Sequence, residues 1–277
     1  MSNKEFFYAD LHGHLGMWKY RGKLDRVIDV ALKRLGSGGI LGIDSDPVCN
    51  DFRYEDFIKK LSYKYMKEDI DGRATLVRSR ENPEENIFIV NGHEVECNIG
   101  HFLASGTKID IPFPKGKDVM WKRVRDKAQE QGALLFIVHP FSIWGAGPFF
   151  EKNQGYLENF QAIEIINANA YLPLPGYKKA NEKAIGFFVR MYKNFPKLGG
   201  VVSQDHHKIY EIGRNCTKML GRLDPNNFMS SFLEGIASCT PDRINEHRYN
   251  AVWGLIGGSH HLFDNLIYKG MRLFRRN

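Results

Sequence analysis

Residues 133–138, Ala-Leu-Leu-Phe-Ile-Val, run without a polar side chain and end in His139-Pro140. A strand with one wet face alternates apolar and polar residues. An unbroken apolar run suits a strand buried on both faces, the kind found in parallel sheets covered by helices. Similar segments recur. Residues 6–12 read as a first strand and Ile40-Leu41-Gly42-Ile43 as a second. Residues 74–77 and 87–90 read as strands joined across a turn at 82–86, and 162–166 and 199–203 as later strands. Helical spacing falls between them. Leu24, Val27, Ile28, Ala31, Leu32 and Leu35 predict a helix over 23–35, closed by the glycines that follow Leu35. Phe52, Tyr54, Phe57, Leu61 and Tyr65 predict a helix over 51–69 whose aromatic stripe is packing rather than a binding platform. Val119, Trp121, Val124 and Ala128 predict one over 118–130, stopped by Gly132; 178–192 and 226–238 read as helices too. The segment 250–277, apolar and then basic, is expected to be a helix packed by one face.

Strands alternating with helices predict an α/β chain with a mainly parallel sheet. No internal repeat, low-complexity block or linker interrupts it, so residues 1–277 are expected to form a single domain. With 277 residues, 43% of them hydrophobic, the chain is long enough for one closed barrel.

Lys and Arg number 39 against 32 Asp and Glu, a net charge of +7. That balance suits anionic partners such as phosphate esters or nucleic acid, and equally suits solubility alone. The four cysteines, Cys49, Cys97, Cys216 and Cys239, form no CxxC pair, which argues for a reducing compartment and against a disulfide framework. The N-terminus lacks a secretory apolar stretch, and no run of 18 apolar residues occurs, so a cytoplasmic chain without a membrane span is expected.

The chemistry-bearing residues follow the strands. His12 and His14 are spaced i, i+2, so an extended chain points both imidazoles to one side, about 7 Å apart at Cα. Gly13 between them admits a close neighbour. The plainer reading is two polar residues at a strand tip. His101, His139, His206 and His207 also lie at or near strand ends, as do Glu94 and Asp205. Strand ends of a parallel barrel converge on one rim. Imidazole with carboxylate suits zinc, manganese or iron rather than calcium or magnesium.

The ordered set Asp10-Leu11-His12-Gly13-His14, Ile43-Asp44-Ser45-Asp46, Gly92-His93-Glu94, His101, His139-Pro140 and Gln204-Asp205-His206-His207 resembles the motif series of the PHP (polymerase and histidinol phosphatase) family. Each motif alone is weak, and their order is specific. The resemblance implies a distorted (β/α)7, TIM-like barrel with a metal site at the C-terminal rim of the strands. It implies a metal-dependent hydrolase of phosphate mono- or diesters, using two divalent ions (Mn, Zn or Fe) and acting on a phosphorylated small molecule, a nucleotide-like substrate or nucleic acid. By residue, it implies that His12, His14 and Asp205 hold one ion and that Glu94 bridges to a second held by His101 and His139. His207, with Asp205 counted as catalytic, is left as a ligand, a phosphate contact or an acid. Glu96 is the alternative bridge. The sequence departs from the family where Ser45 replaces the histidine of TDH, where Gly16 to Lys19 offer no further histidine, and where Gln204 replaces serine. A third ion would have only His207 with Asp44 or Asp46. The motifs span 6–220, and 221–277 is expected to pack on that region.

Two other readings compete. Amidohydrolase-type barrels also begin with HxH, but they use a strand-end lysine that this chain lacks. A non-catalytic metal-stabilised scaffold, or a nucleic-acid-binding module, would fit the charge and the loss at Ser45. Covalent catalysis is disfavoured: Ser203 and Ser45 lack a GxSxG elbow, and Cys97 has no evident cationic partner. His93 and His206 should face away from the proposed ligands. His247, His260 and His261 are expected outside the site, His247 solvated. Asp10 is read as orienting a histidine or capping a loop. Lys208, Arg214 and Lys218 are candidates to grip phosphate, 209–217 to line a wall, and Phe141, Trp144, Phe149 and Phe150 either to stack a base or sugar or to pack.

Overall fold

Most of the apolar runs form strands, and they pair into one curved sheet. The computed structural model describes residues 5–14, 24–45, 54–108, 118–171 and 179–249. The strands are β1 (Phe6–Asp10), β2 (Gly39–Ser45), β3 (Tyr65–Ile70), β4 (Ala74–Ser79), β5 (Asn86–Cys97), β6 (Gly100–Ser105), β7 (Leu134–Ile137), β8 (Ala162–Asn167), β9 (Gly199–Ser203) and β10 (Thr217–Leu220). The helices are α1 (Leu24–Leu35), α2 (Tyr54–Lys60), α3 (Trp121–Gln131), α4 (Gly147–Lys152), α5 (Ala180–Tyr192) and α6 (Phe228–Ala237). The sheet order is β10-β1-β2-β5-β6-β7-β8-β9, with β4 also paired to β5 and β3 to β4. Its two ends meet. Thr217 Oγ1 accepts from the Val202 amide (2.7 Å) and donates to the Val202 carbonyl (2.8 Å), and Gly13 forms a parallel bridge with His206. The result is a nearly closed, TIM-like α/β barrel.

The sheet is mixed rather than mainly parallel. β1/β2, β2/β5, β7/β8 and β8/β9 are parallel, while β1/β10, β3/β4, β4/β5, β5/β6 and β6/β7 are antiparallel. The cause is the long β5. Its first half lies between β2 and β4, and its second half turns back through Gly100 into β6.

Alternation sorts the side chains. Phe7, Ala9, Ile40, Phe88, Leu103, Leu134, Phe136 and Val201 fill the barrel, and α6 plugs it with Phe228, Phe232 and Ile236 at i, i+4, i+8. Outside it, α1 and α2 cover β2 and β5, and α3 and α5 cover β6 to β8. Each of the larger buried side chains contributes roughly 1.5–3 kcal/mol of transfer free energy.

Two further sequence expectations are corrected. The helix predicted over 51–69 is two elements: α2 ends at Lys60, the chain turns at Ser62, and 65–70 pair with β4 as β3. Tyr65 still enters the core that holds Tyr54 and Phe57, so the aromatic spacing marks a shared core rather than one helix. Residues 65–70 (Tyr-Met-Lys-Glu-Asp-Ile) are weak strand formers, and the edge of β4 overrides that preference. His247 is not solvated but 5% exposed, and the Lys218 amide donates to its Nδ1 at 3.2 Å. The predicted tail helix, Cys49, Asp46, His260, His261 and 16–19 lie outside the described residues.

Burial, and then the neighbouring Arg243, push the His247 imidazole down to about 4. The folded state therefore holds this ring neutral, while the unfolded chain takes up a proton below about 6.5. Its contribution is present above that pH and is lost as pH falls toward 4, by up to about 3 kcal/mol. His247→Gln should flatten the decline of urea-unfolding stability between pH 6.5 and 4 relative to the parent chain.

Candidate metal centre

β1 ends at Asp10, but the chain stays extended to His14, held on both sides. Gly13 donates to Asp44 Oδ2 (2.9 Å) and accepts from the Asp44 amide (2.9 Å) at the end of β2. On the other side the His14 amide donates to the His206 carbonyl at 2.7 Å. His12 and His14 therefore project to one side, their rings 5.2 Å apart. Gly13 is required for the fit: a Cβ there would lie 1.9 Å from His206 Cε1.

Four other strand ends deliver partners. Glu94 lies in the second half of β5, His101 in β6, His139 after β7, and Asp205 and His207 after β9. The carboxylate of Glu94 faces two imidazole pairs. Its Oε2 is 3.1 Å from His14 Nε2 and 3.8 Å from His12 Nε2. Its Oε1 is 2.7 Å from His101 Nδ1 and 3.0 Å from His139 Nε2. Asp205 Oδ1 lies 3.8 Å from His12 Nε2 and 3.7 Å from His14 Nε2, and the ring of His207 is 4.9 Å from that of His14. All seven sequence-predicted residues thus come together, in overlapping groups whose ligand atoms lie within 4.8 Å of one another. Glu96 belongs to none of these groups, and neither do His93, bonded to Ser45 Oγ, and His206, buried beside Asp10 with Nδ1 3.2 Å from Oδ2. Asp10 caps the loop after β9, accepting from the amides of Gln204 and Gly213. The phosphate-gripping role does not suit Lys218, whose ammonium pairs with Glu246 and lies over Phe6 at the start of β1, the end away from His12.

Sequence reasoning passed over Glu164. It is 2% exposed, and its Oε1 is 3.2 Å from His12 Nδ1. Its Oε2 accepts from the His139 amide and from Asn167 Nδ2. Asn167 also donates to Asp205 Oδ2 at 3.2 Å. The signal was in the sequence: a carboxylate inside an apolar strand buried on both faces needs a partner.

This set fits divalent cations. With Nδ1–H donating to Glu164, a neutral His12 ring keeps its lone pair on Nε2, and His12 Nε2 is buried with no hydrogen-bond partner. His14 Nδ1 is held likewise by the Asp44 carbonyl (3.3 Å), and His139 Nδ1 by Ser142 Oγ (3.0 Å). His139 and Asp205 adopt positive φ, 30° and 53°, strained backbone for such residues and common where side chains are aimed at a site. Burial alone would raise the carboxyl of Asp205; the imidazoles of His12, His207 and His14 outweigh it and hold it well below its ordinary value. Glu94 is lowered against the same burial by His101, His12 and His139. Conversely His12 is raised: burial opposes its charge, and Asp205 and Glu164 prevail. The acids are thus held ionised, as metal ligands must be.

The same fold occurs in Endonuclease Q, solved with a 27-mer duplex carrying an abasic lesion at its active site, with a TM-score of 0.52 and 12% identity over 88% of this chain and 58% of that one. A two-domain protein from Bacteroides vulgatus containing a predicted PHP-like metal-dependent phosphoesterase aligns with a TM-score of 0.49 and 16% identity, covering 88% of this chain and 64% of that one. This chain spans less than two-thirds of the length of either. No family model and no curated protein matches it. The barrel fold expected from the motif order is the fold observed.

Glu164→Gln keeps an acceptor for His12 Nδ1 but removes the charge. It should weaken manganese or zinc binding about 10–100-fold in a chelator competition, with the circular dichroism spectrum intact. Gly13→Ala should cost about 1–3 kcal/mol in urea unfolding, because backbone or the His206 ring must shift.

Proposed function

We propose that this chain is a metal-dependent hydrolase of phosphate esters, mono- or diesters, working with two divalent ions (Mn, Zn or Fe) and water. The observation that carries the reading is the carboxylate of Glu94, with one oxygen toward His12 and His14 and the other toward His101 and His139. In this reading His12, His14 and Asp205 would hold one ion and His101 and His139 the other, with Glu94 shared between them. Bound there, the ions would lower the pKa of a coordinated water and draw charge from the phosphoryl oxygens.

The chain's own residues do the rest. Glu164 and Asn167 orient His12 and Asp205, so the ligand geometry is set before substrate arrives. His207, 6% exposed, is aimed by Nδ1 against the Asp205 carbonyl at 2.9 Å and by its amide on Glu211 at 2.8 Å. In this reading its imidazole would contact phosphate or give the leaving oxygen a proton. No serine or cysteine nucleophile is needed. Cys216 and Cys239 are buried free thiols pushed up to about 12 by that burial, unsuited to attack.

Endonuclease Q is solved with a 27-mer duplex substrate, and with the charge of +7 this supports a nucleotide-like or nucleic-acid ester as substrate. Buried free thiols suit a cytoplasmic setting. No helix among the described residues is long and apolar enough to cross a membrane. We read residues 1–277 as one barrel unit.

Manganese-loaded protein should hydrolyse p-nitrophenyl phosphate or bis-p-nitrophenyl phosphate, and EDTA should abolish the activity. Glu94→Gln should lower kcat by about a hundredfold or more. A metal-raised Tm with no turnover on either ester would identify a scaffold instead.

A further inference from the structure

Four aromatic residues lie at 141–150, after β7, and the core uses three of them. Phe150 is fully buried, Phe149 packs against Trp121 and Tyr156, and Phe141 packs edge-on to Phe187 at 5.6 Å. Trp144 differs. It is 47% exposed, next to Ile143 at 59%, and its indole lies over the imidazole of His101, ring centroids 6.3 Å apart and planes 18° from parallel. His101 Nδ1 is in turn 2.7 Å from Glu94. The exposed indole is thus one imidazole away from the metal-ligand cluster.

The loop that carries it is rigid by construction. The Trp144 carbonyl accepts from the His101 amide at 3.1 Å, Gly145 donates to the Ser142 carbonyl at 3.0 Å, and Gly147 donates to the Pro140 carbonyl at 2.6 Å. A Cβ on Gly145 would lie 2.3 Å from the His139 carbonyl oxygen, one on Gly147 2.5 Å from that of Pro140, and one on Gly100 2.6 Å from the Ala146 amide nitrogen. Three glycines therefore let the backbone close tightly around one large apolar ring that is left half in water. Burying that ring fully would contribute stability; this loop instead holds it firmly and half exposed beside His101.

We propose that Trp144 is the stacking platform for a nucleobase of the ester cleaved at the adjacent cluster, and so selects nucleotide over base-free phosphate esters. The proposal rests on the phosphoesterase reading above. A flat heteroaromatic ring stacked on the exposed part of the indole would bring its attached sugar-phosphate toward His101 and the Glu94 carboxylate. Every base offers a π-face, so the contact would be tolerant of sequence and would favour an unpaired base.

The test has two arms, both with the manganese-loaded full chain. In the first, fluorescence anisotropy compares a labelled short oligothymidylate with an equally long strand of abasic residues. The parent chain should prefer the thymidylate; Trp144→Ala should reduce that preference about 5- to 150-fold, and Trp144→Phe should keep most of it. In the second arm, the kcat/KM ratio of thymidine 5′-(4-nitrophenyl) phosphate to methyl 4-nitrophenyl phosphate should fall by a similar factor in Trp144→Ala. Equal losses on base-bearing and base-free ligands, or a drop in bound manganese, would show that Trp144 merely shields His101 and would overturn the proposal. So would an unchanged preference. If the parent chain turns over neither ester, the phosphoesterase reading fails, and the binding arm still decides whether the indole stacks a base.

Discussion

The backbone of Gly13 is the point on which the barrel and its site both depend. It is gripped from β2 by Asp44, through amide and side chain, and it is bridged to His206 beyond β9. Those contacts bring the two ends of the sheet together. They also set the two residues on either side of Gly13 facing inward. Closing the barrel and presenting His12 and His14 are therefore one event, and the glycine is needed because the His206 ring occupies the space a side chain would take.

Around that point the centre is a problem in buried charge. Glu94, Glu164 and Asp205 are each less than 10% exposed, and so are His12, His14 and His207. Isolated carboxylates at such depth would protonate. Here each is surrounded by imidazoles that hold it ionised, and Asn167 ties Glu164 to Asp205. The arrangement gives up the stability an apolar core would supply, since replacing such groups with hydrophobic ones is often neutral or favourable. Catalysis or metal binding is the usual reason for keeping them.

How legible this was depended on the kind of signal. The i, i+2 pairs worked: His12 with His14 and Asp205 with His207 face the cluster, and the alternate residues His206 and Gln204 face away, to Asp10 and Asn215. Glu164 carried a readable signal that strand patterning alone did not promote to a site. The stripe from Tyr54 to Tyr65 misled because helical spacing cannot tell one helix from a helix and a strand that share a core. His247, among charges in the sequence, is buried where its Nδ1 accepts from the Lys218 amide, 29 residues away in a strand that local reading does not connect to it.

Local pattern determined the alternation of strand and helix, the face each helix buries and the strand ends where the polar residues collect, because periodicity is a property of neighbours along the chain. The tertiary structure decided the closure at Gly13 and the meeting of Glu94 with His12, His14 and His139. Those outcomes rest on hydrogen bonds and ion pairs between residues tens to hundreds of positions apart, and no local preference encodes which of them will meet.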